Sequence, residues 1–304
     1  MARPLKVGIQ LPEVERVVRW SELREMAETA EAIGLDSLWV GEHLLYRYQN
    51  QPPRGPWEAW STLAALAAVT QRVEIGPLVA CLAFHNPAVL AKQAAAVDEI
   101  SQGRLILGIG AGWNEVEFGA FGIPYDHRVS RFEEAFTILR ELLQTGRTRF
   151  SGTYHQAPDA ELLPPPVRKG GPPLMVGSNG ERMLAITLPH VDAWNSWYAS
   201  FGNSLEGYRT LRDRIDVAAH TAGRDPADVQ RTVALLVGFP GGAGRLMGDM
   251  GEPQVQAMSS DPAHLAQTLR DFAAEGVDHV QLVLDPITVA SIAGLEPTLR
   301  RLGA

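Results

Sequence analysis

Two glycine-marked turns could hold an anionic, planar ligand, and one acid–histidine pair could move a proton. Gly177-Ser178-Asn179-Gly180 joins an apolar segment to a helical one. Such a turn bends tightly, and the unpaired N–H groups of a helix start attract an anion such as phosphate; a plain connecting turn is the alternative. Gly108-Ile109-Gly110-Ala111-Gly112 runs on into Trp113-Asn114-Glu115, so its third glycine is misplaced for a dinucleotide fingerprint. Small residues there let a flat ligand approach the backbone, or simply make a tight turn. Glu42-His43 follows a short apolar strand. A histidine so placed can donate a proton or orient a substrate near neutral pH, or be satisfied by a backbone carbonyl.

His85, ahead of Asn86, can face the same side. Trp57, Trp113 and Trp197 fall at strand ends or in the loops after them, where aromatic walls suit an apolar substrate or a stacked ring, or pack on insertions. The other histidines, His127, His155, His190, His220, His264 and His279, read as loop or surface positions. They show no HxxxH or HxH spacing, and no metal site is expected. Cys81 is the one cysteine, which excludes an internal disulfide and a cysteine metal cage. It reads as a small buried packing residue. No Gly-x-Ser-x-Gly elbow supports serine hydrolase chemistry.

The elements that must carry these residues alternate between strand and helix. Apolar runs at Lys6–Leu11, Ser37–Val40, Val73–Ala80, Leu105–Gly110, Leu174–Gly177, Val191–Ser196, Thr232–Gly238 and His279–Leu284 read as eight strands. Helical spacing separates them: Leu23, Met26, Ala30 and Ile33 after a Ser21 cap, Trp57–Thr70, a segment capped by Asn86-Pro87, and Arg128–Thr145. Glu181–Leu188, Leu205–Thr221, a segment started by Asp261-Pro262 and a last helix towards Leu302 follow. Uniformly apolar strands fit a buried parallel sheet, and eight β/α units of this length favour closure into a (β/α)8 TIM barrel over an open sheet. Catalytic residues of such a barrel lie at the carboxyl ends of its strands, where the turns above fall. Two stretches break the rhythm: 147–173, rich in Gly and Pro after strand four, and 239–260 after strand seven. Both read as insertions in one domain and as candidate lids.

Among the 304 residues, 20% are charged and the net charge is −8, which argues against routine nucleic-acid binding. No apolar run is long enough to span a bilayer, and no signal-peptide core precedes the first strand, so a cytoplasmic protein without membrane contact is expected.

The chain resembles the bacterial luciferase-like monooxygenase superfamily, especially its deazaflavin (F420)-dependent oxidoreductases. The resemblance is carried by Gly8-Ile9-Gln10-Leu11-Pro12, Gly34 to His43, Asn86-Pro87-Ala88, Ser101 to Leu105, Gly108 to Phe118, Phe121-Gly122-Ile123-Pro124, Arg128 with Arg131, and Pro172 to Gly177. It covers about residues 5 to 197, and the last third matches in rhythm alone. It implies a barrel with an insertion between strands four and five, and a flavin-type ring across its mouth. A bulge after strand three, near Pro77, Leu78 and Val79, would back the ring, often with a non-proline cis peptide. Ala111, Gly112 and Asn114 would contact the ring or its side chain, Gly177 to Gly180 would cradle a phosphate, and Asn195 would add a cofactor contact. The resemblance gives His43 and Glu42 as catalytic, with Trp57, His85, Trp113 and Trp197 on the substrate side. The superfamily more often has Asp in place of Glu42, proline in place of Cys81 and arginine in place of His85. The departures at Cys81 and His85 touch the substrate side more than the cofactor fold.

The reaction this implies is hydride transfer between F420 and a small carbonyl, imine or enone substrate, with His43 donating or orienting. One alternative is FMN, reduced by a separate reductase and reacting with oxygen. Another is a flavin-binding protein without turnover. A homodimer is expected from the resemblance.

Overall fold

Eight parallel strands close into a barrel because each is apolar on the side that faces the surrounding helices and small or shape-matched on the side that faces the lumen. The computed structural model describes residues 3–48, 50–244 and 255–303. The barrel strands are β1 (Lys6–Gln10), β2 (Ser37–Val40), β3 (Glu74–Pro77, continued by Ala80–Cys81), β4 (Leu107–Gly110), β5 (Leu174–Gly177), β6 (Ala193–Ser196), β7 (Gln230–Gly238) and β8 (His279–Asp285). Neighbours in sequence are neighbours in space, and β8 pairs with β1 through Val7 and Val280. β3 is the joint in the ring. Its first half pairs with β2 and its second half with β4, around a cis Leu78–Val79 peptide.

In the lumen, large side chains stand opposite glycines. A Cβ on Gly76 would lie 2.8 Å from the Trp39 ring, and one on Gly8 3.0 Å from its indole nitrogen. Trp39 is fully buried, and truncating it to Ala would cost about 3–5 kcal/mol through the void left behind. Val7, Ile9, Ile75, Ile109, Val176 and Leu235 face outward into the helix layer.

The helices are α1 (Trp20–Ala32), α2 (Ala59–Val69), α3 (Pro87–Ile100), α4 (Glu115–Phe121), α5 (Arg128–Thr145), α6 (Glu181–Thr187), α7 (Leu205–Thr221), α8 (Pro262–Ala274), α9 (Val289–Ala293) and α10 (Glu296–Leu302). Asn86 caps α3 by accepting from the Ala88 and Val89 N–H groups, and Asp261 caps α8 through His264 N. Ser21 does not cap α1. The chain is already helical at Trp20, with Glu22 and Leu23 N–H groups bonded to Arg19 O, and no side chain caps this end. None of the described helices is long and apolar enough to cross a membrane.

The 147–173 excursion is an antiparallel hairpin, Arg147–Ser151 with Gln156–Glu161, laid along α5. Its tip is pinned by Glu134, which accepts from the Thr153, Tyr154 and His155 N–H groups. Its far end returns through Arg168, whose guanidinium grips the buried Asp98 carboxylate at 2.5 Å and 3.0 Å and also the Leu105 carbonyl. Of the 239–260 stretch, residues 245–254 lie outside the described part; Met258–Ser259 extends the sheet beside β7. A second hairpin, Tyr46–Tyr48 with Gln51–Arg54, was not expected from the sequence and stands beside the mouth after β2.

Candidate active site

The loops after β1, β2 and β4 converge on one imidazole. His43 Nδ1 lies 2.9 Å from Glu117 Oε1, and Nε2 lies 3.8 Å from Glu13 Oε1. Glu117 is held by its other oxygen, which accepts from Leu44 N at 2.7 Å and Leu45 N at 3.3 Å. Glu13 accepts from Gln10 Nε2 at 3.0 Å and from the Tyr46 hydroxyl at 2.9 Å. Tyr46 and Trp113 wall the imidazole, with ring centroids 4.7 and 5.3 Å away. Asn114 donates to Leu45 O at 2.9 Å and so ties the β4 loop to the β2 loop.

Both carboxylates are almost wholly buried, while 15% of the His43 side chain remains open. Burial alone would push the imidazole down. The charge of Glu13, then the hydrogen bond and charge of Glu117 and the charge of Glu42, outweigh it and hold His43 above the ordinary histidine value. The ring is thus fixed at Nδ1 by Glu117, and its Nε2 lies beside Glu13.

A second acid–histidine pair lies on the other side of β2. Glu42 Oε2 accepts from Cys81 N at 2.7 Å, and Oε1 lies 2.8 Å from His85 Nε2. The structure thus joins Glu42 to His85, not to His43. Cys81 is buried, and burial with the nearby Glu42 charge pushes its thiol up, so a packing role fits.

The floor of the mouth is apolar. Leu78 packs with Trp39, Met175 and Ala193, and Val79 and Trp197 lie against them. A Cβ on Gly108, Gly110 or Gly177 would come within 2.9 Å of a Val79 methyl, so these glycines make room for the bulge residue itself. Gly112 has φ +78, and a Cβ there would strike Cys81 Sγ at 2.6 Å; the β4 turn requires glycine. Ala111 follows half-buried, and Pro77 ends the first half of β3.

The Gly177–Gly180 turn is fixed by Trp194, whose indole N–H donates to Ser178 O at 2.9 Å, and by Gly180 N on Ser178 Oγ at 3.3 Å. Asn179 donates to Ser196 Oγ at 3.1 Å, while its Oδ1 is buried without a partner among the described residues. Asn195 sits deeper in the lumen, bonded to Thr232 Oγ1 and Gln281 Oε1 at 2.7 and 2.8 Å. Trp197 is tilted against Tyr198 at 4.7 Å. Trp57 stands on the rim, 53% exposed, its indole N–H on Val18 O. Among the described residues no group of three His, Cys, Asp or Glu side chains could hold a metal ion.

His279 corrects the sequence reading of a surface histidine. It is fully enclosed in the lumen, 2.7 Å from Ser37 Oγ, which also accepts from Trp39 Nε1. The residue opens a strand whose alternation turns it inward. Sequence reasoning also missed Glu13, Glu117 and Tyr46. Glu117 lay in view inside the Gly108–Phe118 stretch, three residues after Asn114, the spacing of a helix capping box. Its side chain instead crosses to the β2 loop.

Three relatives place these features. Over 224 residues the chain is 30% identical to the F420-dependent glucose-6-phosphate dehydrogenase of Amycolatopsis mediterranei, covering 72% of this chain and 65% of that protein. It is 33% identical over 175 residues to the pyrimidine monooxygenase RutA of a Caulobacter species, covering 56% and 48%. The chain therefore spans less than two thirds of either relative. An F420-dependent secondary alcohol dehydrogenase, solved with an F420-acetone adduct, shares the fold at TM-score 0.80 and 19% identity, over 98% of this chain and 99% of that one. The luciferase-like monooxygenase family model matches residues 6–238, the greater part of the sequence, and the chain belongs to that family.

Proposed function

We propose that the chain is an oxidoreductase that exchanges a hydride between the deazaflavin F420 and a small organic substrate of carbonyl, imine or enone type. The observation that carries the reading is His43, an imidazole at the carboxyl end of β2 with its Nδ1 2.9 Å from Glu117 and 15% of its side chain open. The similarity to an F420-dependent dehydrogenase supports the cofactor. The residues present fit such a group: an apolar floor at Leu78 and Val79, and an unpartnered buried acceptor at Asn179 Oδ1 beside the Gly177–Gly180 turn. Pro77, Leu78 and Val79 would back the ring, and Ala111, Gly112 and Asn114 would flank it. Gly177, Ser178, Asn179 and Gly180 would hold the phosphate side, with Asn195 beneath.

When bound, a deazaflavin supplies hydride exchange with the substrate carbon. The chain's own residues do the rest. Glu117 accepts the Nδ1 proton of His43 and fixes the ring. His43 holds at Nε2 the proton that the substrate's oxygen or nitrogen takes up, or receives it in the reverse direction. Trp113 and Tyr46 wall the substrate and exclude water, with His85, Trp57 and Trp197 as the outer contacts. The reading includes one barrel domain acting as a homodimer, which sedimentation of the purified chain checks.

The similarity to a pyrimidine monooxygenase favours a second reading, in which FMN reduced by a separate reductase reacts with oxygen. Titration of the purified chain with F420 and with FMN, followed by fluorescence, separates the two. F420 binding tighter than about 0.1 mM, about −5.5 kcal/mol, with hydride transfer to a carbonyl, imine or enone is expected. Binding of neither cofactor overturns the proposal. Oxygen consumption with reduced FMN replaces it by the second reading, and F420 binding without transfer to any of the panel leaves a passive flavin-binding protein.

A further inference from the structure

Glu42 and His43 are consecutive, yet their side chains serve different strands. His43 reaches Glu117 in the first turn of α4 and Trp113 in the loop before it, and Glu42 reaches β3. The last main-chain bond from β3 to β2 is Leu78 N to Val40 O, 2.8 Å. β2 ends at Val40, so no further carbonyl of that strand is available to β3. The Glu42 carboxylate stands in for it, accepting Cys81 N at 2.7 Å, and its other oxygen is taken up by His85. A side chain whose two oxygens are both engaged and 95% covered is badly placed to exchange a proton with substrate. It is well placed to fix geometry. Leu78 and Val79, the floor residues, lie between the two anchored amides, Leu78 N and Cys81 N.

We infer that Glu42 is a positioning residue: clamped between the Cys81 amide and His85, it sets the spacing between His43 and the Leu78–Val79 floor. One carboxylate thus fixes both the backbone from which the proton-bearing imidazole projects and the bulge on which a ring would rest. The inference rests on the cofactor reading above for its consequence in binding, but not for the geometry. Charged and titratable groups facing the two histidines are Glu13, Glu117, Glu42 and Tyr46 around His43, and Glu42 and Glu58 around His85.

The test uses the full chain with E42A, E42Q and H85A. Fluorescence titration with F420 and with FMN reads the floor, and NMR titration of the His43 imidazole in the cofactor-free chain reads its position. In E42A the F420 dissociation constant is expected to rise at least tenfold and the His43 midpoint to fall towards the ordinary histidine value as the ring leaves Glu117. In E42Q, whose amide oxygen still accepts the Cys81 N–H, the dissociation constant stays within about threefold of wild type, and the His43 midpoint falls only through loss of the Glu42 charge, less than in E42A. Wild-type binding and an unchanged His43 midpoint in E42A would overturn the inference, as would E42Q behaving like E42A, which assigns the effect to charge rather than position. If E42A does not fold, H85A serves, since it keeps the Cys81 bond and frees one carboxylate oxygen. A threefold or larger loss of F420 affinity supports the clamp, and unchanged affinity overturns it. If the wild-type chain binds neither cofactor, the functional reading fails while the His43 contrast between E42A and E42Q still decides this one.

Discussion

His43 and His279 are both enclosed by the same barrel, and they titrate in opposite directions. His43, at the mouth, faces Glu13 and Glu117 and is held above the ordinary value despite burial. His279, in the lumen, faces Ser37 and the Trp39 edge, and burial, with Lys6 adding to it, pushes it down to about 3. Enclosure therefore does not decide the charge of a buried imidazole here. The partners offered by neighbouring loops do, and only the mouth has loops long enough to bring carboxylates in. The lumen, built from strands in fixed register, offers a hydroxyl and keeps its histidine neutral.

The largest test of that contrast is to remove each imidazole. H43A is expected to lower kcat by about 10²–10⁴-fold, the usual range for losing a general acid–base group, with cofactor affinity within about threefold of wild type. H279Q should leave kcat near wild type; a similar loss of kcat in both variants would erase the distinction. The next test is acid stability. Because the folded-state value of His279 is depressed, the unfolded chain binds a proton that the folded chain refuses between pH 6.5 and about 3. Stability therefore falls by about 1.4 kcal/mol per pH unit through that window on cooling the pH downward. Urea midpoints for H279Q should fall less steeply by that slope, and parallel curves would refute the assignment. His43 works the other way: its contribution is full below the ordinary histidine value and is lost as pH rises through its raised folded value.

A smaller effect is expected from E117Q, which removes a raising partner. Activity that needs protonated His43 should then be lost at lower pH than in wild type, read from the kcat profile in the reducing direction. An unmoved profile would mean Glu117 does not set the His43 charge. Smallest of all, S37A strips His279 and Trp39 of their shared hydroxyl and should cost about 1–2 kcal/mol of stability without moving kcat.

Much of the barrel was legible because its signals are local. The apolar face and Gly146 stop of α5 gave its observed bounds, the 205–221 segment coincides with α7, and Asn86-Pro87 and Asp261-Pro262 mark real caps. Strand bounds were looser: β7 starts two residues before Thr232, because Gln230 and Arg231 pair with β6 through backbone alone. At the site, His43 and the turns were found from their positions at strand ends. Glu13 and Glu117 were not, since each acts by reaching from its own segment to the one after β2, and sequence carries no local mark of that convergence. His279 was misread because a polar residue opening a strand looks like a loop residue until the register turns it inward. The Tyr46–Arg54 hairpin escaped notice because Pro52 and Pro53 disguise its second strand.

The Arg168–Asp98 pair has a kinetic consequence. β4 and β5 are adjacent in the barrel, but residues 111–173 separate them along the chain, so their pairing closes a long loop and is entropically slow. Asp98 lies in the last turn of α3, ahead of β4, and Arg168 in the segment leading to β5, where it also takes the Leu105 carbonyl. Their contact staples the two strand starts together across that loop. A transition state in which this pair is already formed would make R168A slow refolding as much as it weakens the folded state, and would place the closing seam of the barrel at the foot of the strands, opposite the mouth.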